Sequence, residues 1–155
     1  MKVLAINGSP RVRASSTCSI LDPLLDGMRS EGAETSLIHV RDLEIEPCLG
    51  CFHCWTQTPG ECIHHDRMTG AIEAYRYADL VVYGTPLYHG SMSGLLKTFL
   101  DRLLPQHEPW LIPNQNVEGM SGHPRRWVGP SRMLLVSVCG FPEFENFEAL
   151  VFTFR

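Results

Sequence analysis

The sequence predicts an α/β domain in which helices cover both faces of a parallel sheet. Short apolar runs suited to buried strands alternate with segments whose apolar residues recur at helical spacing. The run at residues 80–84, Leu-Val-Val-Tyr-Gly, is apolar throughout, which is typical of a central strand buried on both faces. With 155 residues and 44% apolar composition, residues 1–155 are expected to form a single domain with a substantial core.

The N-terminal stretch predicts a strand, a loop of small residues and the start of a helix. Residues 2–6 form the apolar run, residues 7–10 (Asn-Gly-Ser-Pro) end it, and residues 15–17 (Ser-Ser-Thr) are good helix caps. Such a junction directs unpaired backbone N–H groups at an anion. A phosphate cradle completed by nearby hydroxyls and one guanidinium is one interpretation, and an ordinary capped turn without a ligand is the other. The loop lacks both nucleotide-binding glycine fingerprints.

The first helix is expected to end at Gly32, which suits a helix C-terminus. Pro23 leaves two alternatives: it bends a single helix that begins at Ser16, or Asp22 and Pro23 start a second helix. The later predicted elements are a strand at 35–40, a cysteine-bearing loop at 47–62, a helix capped by Asp66, the strand at 80–84, a helix capped by Ser91 or Ser93, a long loop at 105–130, a fourth strand at 133–138 and a helical pattern from 143.

In an open parallel sheet, ligands bind beyond the carboxyl ends of the strands, where the strand order reverses. The loops after the first, third and fourth strands are therefore predicted to converge. These loops are residues 9–17, residues 85–90 and the pair Cys139-Gly140.

Charge and composition exclude some classes of function. The net charge is −4 with scattered Lys and Arg residues, which argues against a nucleic-acid partner. No apolar stretch reaches the length of a membrane span, and the first apolar run stops at Asn7, too early for a signal peptide. We therefore expect a cytoplasmic protein with no membrane partner. Six cysteines in such a chain favour metal or redox chemistry over disulfides.

Several motifs together resemble the NADPH-dependent FMN reductase group of flavodoxin-like proteins. They are Asn-Gly-Ser-Pro-Arg at 7–11, the stretch 78–88, the segment 92–102 (Met-Ser-Gly-Leu-Leu-Lys-Thr-Phe-Leu-Asp-Arg) and Cys-Gly-Phe at 139–141. The resemblance implies a flavodoxin-like doubly wound parallel sheet in strand order 2-1-3-4. The sequence predicts only four of the five strands of that fold, so either the domain is C-terminally incomplete, as we expect, or the last strand and helix are supplied otherwise.

The resemblance also implies FMN as a cofactor and NAD(P)H as a co-substrate. The FMN phosphate is expected at four residues, Ser9, Arg11, Ser16 and Thr17. The ring is expected along Pro86, Leu87, Tyr88, His89 and Gly90, with Cys139 and Gly140 closing the other side. Tyr88 has two alternatives, stacking on the ring or packing against the sheet.

Four cysteines, Cys48, Cys51, Cys54 and Cys62, resemble the compact motif of the iron-sulfur flavoproteins within that group. Thiolates two residues apart can wrap one metal centre. Three interpretations remain open: a [4Fe-4S] cluster that exchanges electrons with the flavin, a structural zinc ion, and reduced thiols without metal.

The resemblance implies an FMN-dependent oxidoreductase that takes electrons from NAD(P)H and passes them to a quinone, a nitro- or azo-aromatic, a flavin or a protein acceptor. No catalytic acid or base is assigned, because the flavin carries the chemistry. An iron-sulfur flavoprotein that links a ferredoxin-like redox protein to FMN is the alternative, and a flavin-free binding domain is a third. Residues 105–130 are expected to line or cover the site, and an unpaired fourth strand is expected to favour a homo-oligomer, a dimer or tetramer.

Overall fold

The computed structural model describes residues 1–113 and 119–154. The strands in these ranges are β1 (Lys2–Asn7), β2 (Glu34–His39), β3 (Leu80–Pro86), β4 (Ile112–Pro113), β5 (Ser121–Gly122) and β6 (Arg132–Val138). The helices are α1 (Cys18–Ser30), α2 (Val40–Leu43), α3 (His53–Thr56), α4 (Met68–Arg76), α5 (Gly94–Asp101) and α6 (Glu148–Thr153). None of the helices within the described ranges has the length and apolar character required to span a membrane.

Four of these strands form a parallel sheet in the order β2-β1-β3-β6. This order confirms the prediction, because β6 is the fourth strand expected from the sequence. The intervening β4 and β5 form a separate two-residue antiparallel pair inside the long loop that was expected at 105–130. Strand β6 lies at one edge of the sheet, where Met133 and Leu134 are exposed.

Helix α1 runs without interruption through Pro23. The single-helix alternative is therefore correct, and a second start at Asp22 is wrong. The hydroxyl of Ser15, rather than that of Ser16 or Thr17, accepts a hydrogen bond from the N–H of Cys18 at the start of the helix (3.1 Å). Gly32, at φ +82°, ends the turn after the helix, as expected for a residue that tolerates the left-handed region.

The sheet is buried on both faces by residues that alternate along its strands. Leu4 and Ile6 of β1 face a cluster that includes Leu96 and Phe99 of α5. Val3 and Ala5 face the opposite side, against Leu21 and Leu25 of α1. This two-sided burial accounts for the continuous apolar runs in the sequence. Because β1 and β3 run parallel, their carboxyl ends lie at the same end of the sheet.

Gly8 allows α5 to approach the loop after β1 closely. A Cβ at Gly8 would lie 2.6 Å from Leu96 Cβ, a distance that real structures do not show. We expect Gly8→Ala to lower the free energy of unfolding by about 1–3 kcal/mol, since the packed helix must shift. Gly27→Ala, in an exposed part of α1 with no atom within 4 Å, is expected to raise it by about 0.5–1 kcal/mol. Urea unfolding of the two variants tests this contrast, and equal effects would contradict it.

Candidate functional site

A cavity of about 260 Å³ lies at the carboxyl ends of β1, β3 and β6. The residues that line it are Ser9, Arg11, Ser15, Ser16, Thr17, Pro86, Leu87, Tyr88, Val138, Cys139 and Gly140. The three loops expected to converge therefore meet at one place. Nine of the eleven residues proposed from the sequence line this cavity.

Two of the proposed residues, His89 and Gly90, do not line it. They form the tip of a tight turn in which Tyr88 and Ser91 exchange backbone hydrogen bonds, and both have positive φ. Ser15 and Val138 line the cavity but were not proposed. Ser15 begins the Ser-Ser-Thr run and Val138 is the last residue of its strand, so both positions carried a signal that sequence reasoning could have used.

The loop after β1 is held in place by its own polar groups. The N–H of Gly8 donates to the Gly84 carbonyl (2.7 Å), and the N–H of Ser9 donates to Asn7 Oδ1 (2.9 Å). The N–H of Arg11 donates to Ser9 Oγ (3.3 Å). From outside the loop, Arg41 Nη1 donates to the Pro10 carbonyl (2.5 Å). The backbone of this wall is thus fixed before any ligand arrives.

Thr17 is the most informative side chain of the cavity. Its residue surface is only 1% exposed, and its hydroxyl has no hydrogen-bond partner among the described residues. A buried unpaired hydroxyl costs free energy and is uncommon in folded proteins. Thr17 lines the cavity beside the start of α1, where an anionic ligand would meet the positive end of the helix dipole.

The opposite wall is braced by Ser93, which is 2% exposed. Its hydroxyl donates to the Gly8 carbonyl (2.6 Å) and accepts from the N–H of Leu96 (3.2 Å), which caps α5 as predicted. Its N–H donates to Thr85 Oγ1 (3.0 Å), at the end of β3. Ser93 therefore links the two loops that form the cavity walls. Tyr88 lines the cavity and is half exposed.

The four cysteines line a second, smaller depression. Positive φ values at Gly50 (+62°) and Phe52 (+55°) turn the chain between them, and α3 carries Cys54. Burial, and then the proximity of the Cys62 thiol, raise the pKa of Cys54. The four thiols therefore share one environment.

The free space in this depression is about 20 Å³, enough for about one water molecule. Among the described residues, no three side chains of the His, Cys, Asp or Glu type are arranged to hold a metal ion. The arrangement thus does not favour a single zinc ion, whose thiolates must stand close together. A four-iron cluster keeps its thiolates further apart, and the four thiols that line the depression are the usual ligand set of such a cluster.

A buried arginine borders the same depression. Arg102 is 1% exposed and forms a two-pronged ion pair with Asp66, with Nη1–Oδ2 at 2.7 Å and Nη2–Oδ1 at 3.0 Å. Its Nη1 also donates to the Glu46 carbonyl (2.6 Å). Burial by itself lowers the pKa of Arg102, but the hydrogen bond with Asp66 and the contact with Cys62 outweigh it and raise that pKa. Helical periodicity predicts Arg102 on the outward face of its helix with Lys97 and Asp101, and its burial shows that this prediction is wrong.

Asp66 links acid stability to this pair. Burial alone raises its pKa, but the hydrogen bond from Arg102 and the backbone N–H groups of Glu46 and Met68 lower it to about 2. Because the folded-state pKa of Asp66 lies below the ordinary value of 3.8, the stabilisation of the fold is complete above that value and is lost as the pH falls towards 2.

We expect the ionised Asp66 to contribute about 2 kcal/mol to the free energy of unfolding at neutral pH. Urea unfolding between pH 2 and 6 should show this acid slope in the wild type and in Asp101→Asn, but not in Asp66→Asn. An unchanged slope in Asp66→Asn would contradict the assignment.

The described part of residues 105–130 packs against the cysteine loop, not around the larger cavity. Trp55 contacts the His123 ring at 4.8 Å, and its Nε1 donates to the Leu104 carbonyl (3.3 Å). The Trp127 ring lies against Gly60. None of the described residues of this segment lines the larger cavity, and residues 114–118 lie outside the described part of the chain.

Comparison with known proteins defines the class. The sequence profile described as NADPH-dependent FMN reductase matches residues 1–114, a range that contains the loop after β1, the four cysteines and the end of β3. The chain therefore belongs to the NADPH-dependent FMN reductase family, as its motifs suggested.

Individual relatives agree with this family. An iron-sulfur flavoprotein of Archaeoglobus fulgidus is 38% identical over 102 residues, which cover 66% of this chain and 48% of that protein. An FMN-dependent NADH:quinone oxidoreductase of Methylorubrum extorquens is 29% identical over 135 residues, 81% of this chain and 65% of that protein. The chain spans about half the length of the iron-sulfur flavoproteins that it matches.

Solved structures confirm the fold. The NAD(P)H:quinone oxidoreductase from Methanothermobacter marburgensis superposes with a TM-score of 0.69 at 14% identity, covering 96% of this chain and 71% of that one. At this identity the likeness shows a flavodoxin-like fold and nothing about substrates.

Proposed function

We propose that this chain is the FMN-binding domain of an NAD(P)H-dependent oxidoreductase that reduces a small-molecule acceptor such as a quinone or an azo- or nitro-aromatic. The observation that carries the proposal is the cavity at the carboxyl ends of β1, β3 and β6, which Thr17 lines with a buried hydroxyl that has no partner among the described residues. Family membership supports it independently. When bound, FMN supplies the redox chemistry, taking a hydride from the nicotinamide and passing electrons to the acceptor.

The residues of the cavity fit the two ends of FMN. At the phosphate end, Thr17, Ser9 and Ser16 offer hydroxyls and Arg11 offers a guanidinium, beside the N-terminus of α1. These groups bind an anion in a loop that is already fixed by its internal hydrogen bonds. The groups that would balance the charge of the phosphate are therefore held in place before FMN binds.

At the ring end, the cavity offers a largely apolar wall. Pro86, Leu87 and Tyr88 line one side, and Val138 and Gly140 line the other. The N–H of Leu87 donates to the Val138 carbonyl (2.8 Å), which holds the two sides at a fixed separation. A flat, amphipathic ring suits such a groove, and the half-exposed Tyr88 leaves one face open to a nicotinamide or an acceptor.

The test is anaerobic titration of the FMN-loaded protein with NADPH and with NADH, followed by absorbance. We expect the nucleotide to reduce the flavin, so that its absorbance bands bleach, and we expect the bands to return when a quinone is added. A protein that binds no FMN overturns the proposal. Stable binding without bleaching by either nucleotide overturns the oxidoreductase assignment and leaves a flavin-binding domain.

A second candidate function is electron transfer between a ferredoxin-like redox protein and FMN through a [4Fe-4S] cluster. The observation that favours it is that Cys48, Cys51, Cys54 and Cys62 all line one depression. The names of several relatives support it as well. In this function the four thiols hold the cluster, which passes single electrons, and the nicotinamide is not required. A cytoplasmic location and a homo-oligomer remain predictions from the sequence.

A further inference from the structure

Arg102 has an N–H group that nothing in the described protein accepts. Its two terminal nitrogens bind Asp66 and the Glu46 carbonyl, but its buried Nε has no hydrogen-bond partner among the described residues. The same side chain contacts Cys62 and borders the depression that all four cysteines line. An unpaired donor on a buried cation beside four sulfurs calls for an anionic, sulfur-containing partner.

We propose that Arg102 is a positioning residue for the iron-sulfur cluster, which donates a hydrogen bond to a cluster or cysteine sulfur and raises the reduction potential of the cluster. The proposal rests on the second candidate function. A cluster held by four thiolates is an anion, and one-electron reduction makes it more negative. A buried positive charge and an N–H···S hydrogen bond stabilise the reduced form more than the oxidised form.

Asp66 acts in the opposite direction. Its carboxylate binds both terminal nitrogens of the guanidinium and neutralises part of the positive charge that the cluster experiences. Asp66 also accepts from the N–H groups of Glu46 (3.1 Å) and Met68 (3.1 Å), so its position is fixed independently of Arg102. The ion pair therefore sets the charge at the cluster as a balance of two opposed contributions.

A purely structural ion pair would behave differently from an electrostatic one. If the pair only joins α5 to the loop before α4, then losing either partner loosens the same contact, and both losses affect the cluster in the same direction. If Arg102 tunes the cluster, Arg102→Gln lowers the midpoint potential, whereas Asp66→Asn raises it. The double variant has two neutral side chains and so leaves no buried charge without its partner, which reduces the risk of misfolding. Its midpoint potential is expected to lie between those of Arg102→Gln and the wild type.

The experiment reconstitutes the full chain anaerobically with iron, sulfide and FMN, and follows the reduced cluster by EPR during a dithionite titration. Lys97→Gln is the matched control, because it removes one positive charge from an exposed position on the same helix. The expected order of midpoint potentials is Arg102→Gln, then the double variant, then wild type together with Lys97→Gln, and finally Asp66→Asn as the highest.

Iron and flavin are assayed on every sample, so that the outcomes separate. Bound iron with shifts of the same sign in Arg102→Gln and Asp66→Asn, or with no shift in the double variant, overturns the role of Arg102 while the cluster stands. Flavin without iron in the wild type overturns both the cluster and this inference, while the FMN oxidoreductase proposal stands.

Discussion

Replacing Thr17 with valine is expected to weaken FMN binding about ten- to a hundredfold and to leave the unliganded protein at least as stable as the wild type. The buried hydroxyl has no hydrogen-bond partner in the described part of the chain, so its removal loses no internal hydrogen bond there and relieves an unsatisfied group. Hydrogen bonds to charged groups contribute about 1.5–3 kcal/mol, and the valine variant forfeits one of them to the phosphate. Affinity and stability therefore change in opposite directions.

Fluorescence titration of the apo protein with FMN measures the first effect, and urea unfolding without FMN measures the second. Ser30→Ala is the matched control, because it removes a hydroxyl at the other end of α1, far from the cavity. It should leave the Kd unchanged. A Thr17→Val variant that binds FMN as tightly as the wild type would show that the phosphate lies elsewhere.

Loss of one cysteine of the depression is expected to remove nearly all of the cluster iron and to leave FMN binding intact. After anaerobic reconstitution, the wild type should hold about four irons per chain, and Cys54→Ser or Cys62→Ser close to none, because the cluster is retained only by all four thiolates together. The FMN stoichiometry should not change, since none of the four cysteines lines the larger cavity.

Colorimetric iron assay and flavin absorbance on the same samples measure both quantities. Cys139→Ser serves as the control, because its thiol lies in the larger cavity and outside the depression. It should retain its iron. Equal iron in the wild type and in Cys62→Ser would mean that the iron is bound non-specifically, and would return the cysteine loop to a structural role.

The sequence predicted some parts of the molecule better than others. The strands followed from periodicity, because buried parallel strands leave a continuous apolar signal, and their order β2-β1-β3-β6 followed from the family resemblance. The loop after β1 was likewise readable, since small residues and helix caps have strong local preferences. Such local signals could not assign Pro23, which the helix accommodates in its interior, or His89, which lies at the tip of a turn and does not line the cavity.

Two of the most consequential features depend on contacts between distant segments. The unpaired state of the Thr17 hydroxyl depends on how closely α1 packs on β3. The two elements are so close that there is no room for a side chain at Gly84. The charge beside the cysteines depends on Arg102 of one segment meeting Asp66, Glu46 and Cys62 of another.

The sequence by itself therefore determined the fold class, the family and the chemical character of both sites, because local propensities and residue types encode these. Only the tertiary structure decided which hydroxyl is left for a ligand and which buried cation faces the thiols. Burial and pairing are properties of the packed chain, and they arise from groups far apart in sequence that the sheet brings together.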